Sequence, residues 1–183
     1  MLVGVPKEIK DNEYRVGIVP STVRELADRG HRVLIETGVG AEAGLPDSDY
    51  EAAGAAIVAN ADAVYGNAEL VVKVKEPLAV ERKKLRRHQV LFAYLHLAPD
   101  REQTEDLLQS GVTAITYDTV TGPNGSLPLL TPMSEVAGRC TCRARRGPSI
   151  SAGSICRRDR AGTPHRRSRH RRVPAHDSRP GRY

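Results

Sequence analysis

The sequence predicts an α/β protein built around a parallel sheet, and three observations carry that prediction. Apolar runs such as ELVVKVK (69–75) and QVLFAYL (89–95) are separated by helical patterns rather than by tight turns, which is the spacing that parallel neighbours require. QVLFAYL is apolar on both faces, as expected of a strand covered on both sides. Glycines close the helical patterns at Gly30, Gly54 and Gly111, where a left-handed residue ends a helix at low cost.

Taken in order, LVGVP (2–6) reads as the first strand. STVRELADRG (21–30) reads as a helix, with Val23, Leu26 and Ala27 on one face and Thr22 and Glu25 spaced as a capping box. HRVLIET (31–37) is the second strand. DSDYEAAG (47–54) is a short helix, with Ser48 and Glu51 spaced as a second box. AAIV (55–58) is a strand, ADAVYG (61–66) a turn or two of helix, and ELVVKVK the next strand. LAVERKKLRRH (78–88) is expected to be a charged helix leading into QVLFAYL. DREQTEDLLQSG (100–111) is a helix, and VTAITYD (112–118) a further strand. Alternation of this kind is the signature of a sheet with helices on both faces.

The charge is divided. The chain of 183 residues has a net charge of +6, but residues 1–138 carry −6 and residues 139–183 carry +12, from 14 arginines and two acids. Polyanion binding is therefore expected only of the second part. All three cysteines lie beyond residue 138, so no disulfide framework is expected in the first part. No run approaches the roughly 20 apolar residues of a membrane helix, and the N-terminus shows no signal-peptide pattern. The expectation is a cytoplasmic protein without a membrane segment.

Ligands in parallel sheets gather where strands end. Three post-strand stretches carry unusual polar residues: Arg15 in GVPKEIKDNEYRVGIVP (4–20), Lys73 and Lys75 in VVKVKEP (71–77), and His96 in LFAYLHLAP (91–99). Each alone is more often a solvated or capped surface residue. Together they would set cations and an imidazole at one sheet edge, a composition suited to a carboxylate ligand and a proton transfer.

The stretch GVPKEIKDNEYRVGIVPSTVRELADRGHRVLIETGVGAEAG, followed by VVKVKEP, LFAYLHLA and LLTPMSEVAGR, resembles the N-terminal domain of the alanine dehydrogenases and of the alpha subunit of the nicotinamide nucleotide transhydrogenases. The resemblance covers residues 1–139. It implies a flavodoxin/Rossmann-like substrate domain (1–138) and NAD-dependent, reversible oxidative deamination of L-alanine to pyruvate and ammonia in a homo-oligomer. It implies that Arg15 and Lys75 bind substrate, that His96 is the catalytic acid/base, and that Ser134 touches NAD. Lys73, Tyr94 and Glu8 are supporting residues by the same token, and no metal is implied. The histidine of YLHLA favours the dehydrogenase branch. The alternatives are a transhydrogenase alpha-subunit-like fragment and a non-enzymatic carboxylate- or nucleic-acid-binding protein.

Beyond residue 138 the resemblance ends inside a motif. Residues 140–183 contain no Leu, Phe, Met or Trp, too little apolar surface to offset the entropy of ordering. A disordered basic tail (139–183) is expected. Fourteen arginines could bind nucleic acid non-specifically, and Cys140, Cys142, Cys156, His165 and His170 could be zinc ligands, although Cys-x-Cys is not the usual pairing. The reading adopted is a frameshift in a GC-rich gene. The NAD-binding Rossmann domain is then missing, and the chain is expected to be an inactive N-terminal fragment.

Overall fold

The computed structural model describes residues 1–145, with side chains described through Arg139. Its elements are β1 (Leu2–Val5), α1 (Pro20–Asp28), β2 (Arg32–Glu36), α2 (Asp47–Ala52), β3 (Ala56–Val58), α3 (Ala61–Asn67), β4 (Leu70–Val72), α4 (Ala79–Arg82), β5 (Val90–Ala93), α5 (Arg101–Ser110), β6 (Thr113–Thr116) and α6 (Thr131–Arg145). The six strands form one sheet in the order β3-β2-β1-β4-β5-β6, and every pairing is parallel. This is the doubly wound order, with its switch point between β1 and β4.

Alternate residues of the strands feed two apolar cores. Val3, Val5, Val33 and Ile35 pack with Val23 of α1 and Tyr50 of α2. Val71, Leu91 and Ala93 pack with Tyr65 of α3 and Leu107 of α5. Gly4 allows α3 to sit directly on β1: a Cβ there would lie 2.6 Å from Ala68 Cβ and 2.7 Å from Val64 Cγ1, closer than carbon atoms can approach. Residues Thr113–Ile115 of the edge strand β6 are exposed.

Local signals were partly overridden. Neither expected capping box forms. Pro20 occupies the first position of α1, with Val19 as N-cap, because proline is pre-set for that position; Thr22 therefore falls inside the helix. In α2 the N-cap is Pro46 and no side chain caps the helix. The carboxylate of Asp47 instead accepts from Thr37 Oγ1 (2.7 Å) and Gly38 N (2.9 Å), tying the helix to the end of β2. By contrast, the carboxylate of Asp100 caps α5 at Gln103 N, and Gly111 ends that helix in the left-handed region (φ 69°).

The charged helix expected over 78–88 is a single turn. Arg82 turns into the structure, with Nε 2.6 Å from Asp106 Oδ2 and Nη2 2.9 Å from Glu102 Oε1. Beyond it, Arg86 and Gln89 both donate to the carbonyls of Tyr65 and Ala68. Reaching those carbonyls at the end of α3 requires the chain to leave the helical path, and His88 does so with φ 67°. The strand expected over 69–75 also stops early, at Val72, although Lys73 N still donates to Phe92 O and Tyr94 N to Val74 O. On the other side Val74 N has lost its strand partner and donates to Glu8 Oε1 at 2.7 Å.

Met1–Cys140 form one compact unit. The helix α6 continues to Arg145, past the boundary at 138 where disorder was expected to begin; the first residues after it are thus helical. Residues 146–183 lie outside the described residues, as do the side chains of the proposed zinc ligands and of most of the arginines expected to bind nucleic acid. Among the described residues no helix is long and apolar enough to cross a membrane, and no group of three or more His, Cys, Asp or Glu is placed to hold a metal.

Candidate active site

Sequence-distant segments converge at the carboxyl ends of β1, β4 and β5. The loop after β1 folds back over β4, and Gly17 permits the approach: a Cβ there would stand 2.9 Å from Val72 O. That contact brings Arg15 above the strand ends. Arg15 lines an open hollow of about 480 Å³ that runs from Val3, Leu26 and Leu70 on the sheet face to Val72, Val74, Phe92, Tyr94 and Leu129. The cavity is mostly apolar, with a guanidinium at its rim, the composition expected of a small-molecule site.

Arg15 is gripped by Glu13. Its Nε donates to Glu13 Oε1 (2.7 Å) and its Nη2 to Glu13 Oε2 (2.5 Å), while the backbone N of Arg15 also donates to Oε1 (3.0 Å). The side chain of Glu13 is 7% exposed and that of Arg15 40%. Hydrogen bonding to Arg15, opposed by desolvation and reinforced by the charge of Lys75, holds the Glu13 carboxyl below the usual carboxylate range. The same pair raises the guanidinium pKa. Among the described residues the guanidinium also donates from Nη1 to Met133 Sδ, 3.0 Å away on α6.

Lys75 is half-buried, and its charge also acts on Glu76. It makes no direct bond to Arg15 among the described residues; Glu13 is the group that feels both cations. Lys73, two residues earlier, is buried in the interior. Its Nζ lies 2.7 Å from Glu81 Oε1 and 3.2 Å from Glu8 Oε2, and Tyr65 OH donates to the same Glu81 oxygen at 3.1 Å. Burial raises the Glu8 pKa against the opposing charge of Lys73. This network anchors the segment that carries Lys75.

His96 is exposed and has a left-handed backbone (φ 48°), a conformation histidine tolerates better than most residues. Its ring is nearly parallel to that of Tyr94, with centroids 6.3 Å apart. Tyr94 is half-buried in the cavity wall, with its OH donating to Leu129 O at 2.7 Å. Tyr117 packs edge-on against both Tyr94 and Phe92 and donates to Lys73 O at 3.0 Å. An aromatic cluster thus links His96 to the rim that carries Arg15. Ser134 lies on α6 beside Met133, exposed, with Oγ donating to Leu130 O at 3.3 Å.

Reading from sequence had picked out Arg15, Lys75, His96 and Ser134 but assigned no role to Glu13. The only signal was an acid two residues before the arginine in NEYR, a spacing that does not by itself specify a bidentate pair.

The fold and this crevice define a doubly wound α/β domain with an apolar-walled hollow, carrying an arginine, beside its switch point. The sequence matches the family described as alanine dehydrogenase/PNT, N-terminal domain, over residues 4–137, and the chain belongs to that family. The alanine dehydrogenase of Mycobacterium tuberculosis (strain CDC 1551 / Oshkosh) is 55% identical over 139 residues, covering 76% of this chain and 38% of the relative. The alanine dehydrogenase of Bacillus subtilis (strain 168) is 54% identical over 139 residues, covering 76% and 36%. A solved L-alanine dehydrogenase superimposes with a TM-score of 0.75 at 54% identity, covering 79% of this chain and 40% of that one. A transhydrogenase from Sinorhizobium meliloti gives 0.61 at 29% identity, covering 64% and 35%. The chain spans about two fifths of the length of these relatives.

Proposed function

We propose that residues 1–138 are the substrate-binding part of an NAD-dependent L-alanine dehydrogenase, which interconverts L-alanine with pyruvate and ammonia. The observation that supports this most is the placement of Arg15 at the rim of an apolar cavity sized for a small molecule. The dehydrogenase reading is preferred to the transhydrogenase one because identity is 54% to the former structure and 29% to the latter.

In this reading Arg15 and Lys75 bind the substrate carboxylate, supplying two charges from one side. The apolar wall around Val74 and Phe92 receives the methyl group and excludes water. His96 takes a proton from the attacking water or amine and returns it to the departing group, the acid/base role an imidazole suits. NAD would accept the hydride from the α-carbon. Among the described residues Ser134 is the one proposed contact for it. A single exposed hydroxyl does not make a dinucleotide site. The homo-oligomer is likewise a proposal from the family. Residues 139–183 are read as an out-of-frame extension, with the NAD-binding part encoded in another frame.

Calorimetric titration of pyruvate into the 183-residue chain tests the site. Saturable binding is expected, weakened about 10- to 100-fold by Arg15→Met, the range for a lost charged hydrogen bond. No binding by the unaltered chain, or equal binding by the variant, would defeat the assignment.

A further inference from the structure

We propose that Glu13 is a positioning residue for Arg15: it locks the inner edge of the guanidinium so that the outer edge is presented to a ligand carboxylate. The inference rests on reading the crevice as a carboxylate site.

A guanidinium has two edges that can each engage a carboxylate with parallel hydrogen bonds. Glu13 occupies the Nε/Nη2 edge with both oxygens, at 2.7 and 2.5 Å. A third bond from the backbone N of Arg15 to Oε1 closes a tight local ring and restricts the Arg15 side chain. The remaining edge, Nη1 with the second Nη2 hydrogen, meets only the Met133 thioether at 3.0 Å among the described residues. Thioether sulfur is a weak acceptor, so a carboxylate can displace Met133 without disturbing Glu13.

Burial has the same polarity. The Glu13 carboxylate is 7% exposed and the guanidinium side chain 40%, so the held edge is inside and the free edge outside. The charge of Lys75 acts on Glu13 as well. Long flexible side chains lose considerable rotamer entropy on binding. A guanidinium already fixed by its inner edge has lost that freedom before the ligand arrives.

A second role for the same pair makes the opposite prediction. If Glu13 sat in the ligand's place, removing its charge would strengthen carboxylate binding. If it positions Arg15, removal weakens binding despite the gain in positive charge.

The test uses the full 183-residue chain with Glu13→Gln, read in three ways. Pyruvate affinity by calorimetry is expected to fall about tenfold, as for one lost charge-assisted contact. The Arg15 Nε–H resonance in a ¹⁵N-detected arginine spectrum is expected to be slow to exchange in the unaltered chain and lost in the variant. The melting transition without pyruvate is expected to stay cooperative, with a drop no larger than the loss of the single Glu13–Arg15 pair, which separates positioning from a fold defect. Glu13→Asp keeps the charge but shortens the reach, and is expected to lose the resonance and part of the affinity. Unchanged or tighter pyruvate binding by Glu13→Gln, or retention of the Nε–H resonance, would overturn the proposal. If the unaltered chain binds no pyruvate, the carboxylate-site reading fails, whereas the resonance still reports on the Glu13–Arg15 lock by itself.

Discussion

The ammonium of Lys73 lies 2.7 Å from the Oε1 of Glu81, with the two side chains 1% and 4% exposed. Glu8 approaches the same nitrogen at 3.2 Å from another loop, so one buried cation serves two buried carboxylates. Removing the cation leaves both uncompensated. Lys73→Met is expected to lower stability by about 3–5 kcal/mol, the range for breaking a buried pair on one side. Urea unfolding at neutral pH measures it; a loss below about 1 kcal/mol would show that the network behaves like a surface pair.

Glu8 also shapes the pH dependence. Its folded pKa is raised above 4.5, mainly by burial. Between pH 4.5 and that raised value the native state holds more proton than the unfolded chain, so stability falls as pH rises through the window. Glu13 and Glu76 act in the other direction: their lowered pKa values contribute stability that is present above 4.5 and lost as pH falls. Glu8→Gln removes one titrating group and is expected to flatten the decline above pH 4.5. Denaturant midpoints across pH 4–8 would expose the error if both proteins showed the same slope.

The β1–α3 contact gives a contrast between two glycines. Gly4→Ala would set a methyl group 2.6 Å from Ala68 Cβ, and the strand and helix must separate to admit it. A cost of about 1–3 kcal/mol is expected. Gly66, within α3, has open space where its Cβ would be, so Gly66→Ala is expected to stabilise by about 0.5–1 kcal/mol through helix propensity. Thermal unfolding of both variants checks the pair, and a destabilising Gly66→Ala would contradict the packing described.

Binding and proton transfer are expected to separate. His96 is exposed, and its ring lies alongside that of Tyr94. His96→Gln is therefore expected to keep pyruvate affinity within about threefold, whereas Lys75→Gln loses a charge from the crevice and is expected to weaken it about tenfold. Calorimetry on both, at one ionic strength, decides. Equal losses would mean that His96 is part of the carboxylate seat.

The proposed change of frame has a direct check in the DNA. Reading the gene from the codon for Leu130 past the codon for Tyr183 in three frames is expected to show, in another frame, a helix followed by a strand and a glycine-rich turn. If no frame does so, the 14 arginines of residues 139–183 are genuine coding sequence, and salt-titrated nucleic-acid binding becomes the experiment to perform.

Much of this protein was legible in its residues. Apolar runs set between helical patterns gave the parallel α/β fold, because a strand buried on both faces cannot tolerate alternating polarity. Gly111 marked the end of α5, because a left-handed stop acts within a few residues of the chain. Arg15, Lys75 and His96 stood out as polar groups after apolar strands, and the motifs around them carried the family. What failed was local signal opposed by distant partners. Thr22 and Ser48 did not cap, since Pro20 moved one helix start and Asp47 was drawn to the end of β2. The helix over 78–88 stopped after Arg82, since the carbonyls of Tyr65 and Ala68 required Arg86 and Gln89. The sequence order of the strands likewise does not reveal that β1 and β4 lie side by side. Only the tertiary structure joined Glu8 to Val74 and Lys73 and set Arg15, locked by Glu13, over the switch point. Those contacts depend on which loops meet at one sheet edge, and no spacing along the chain encodes that directly.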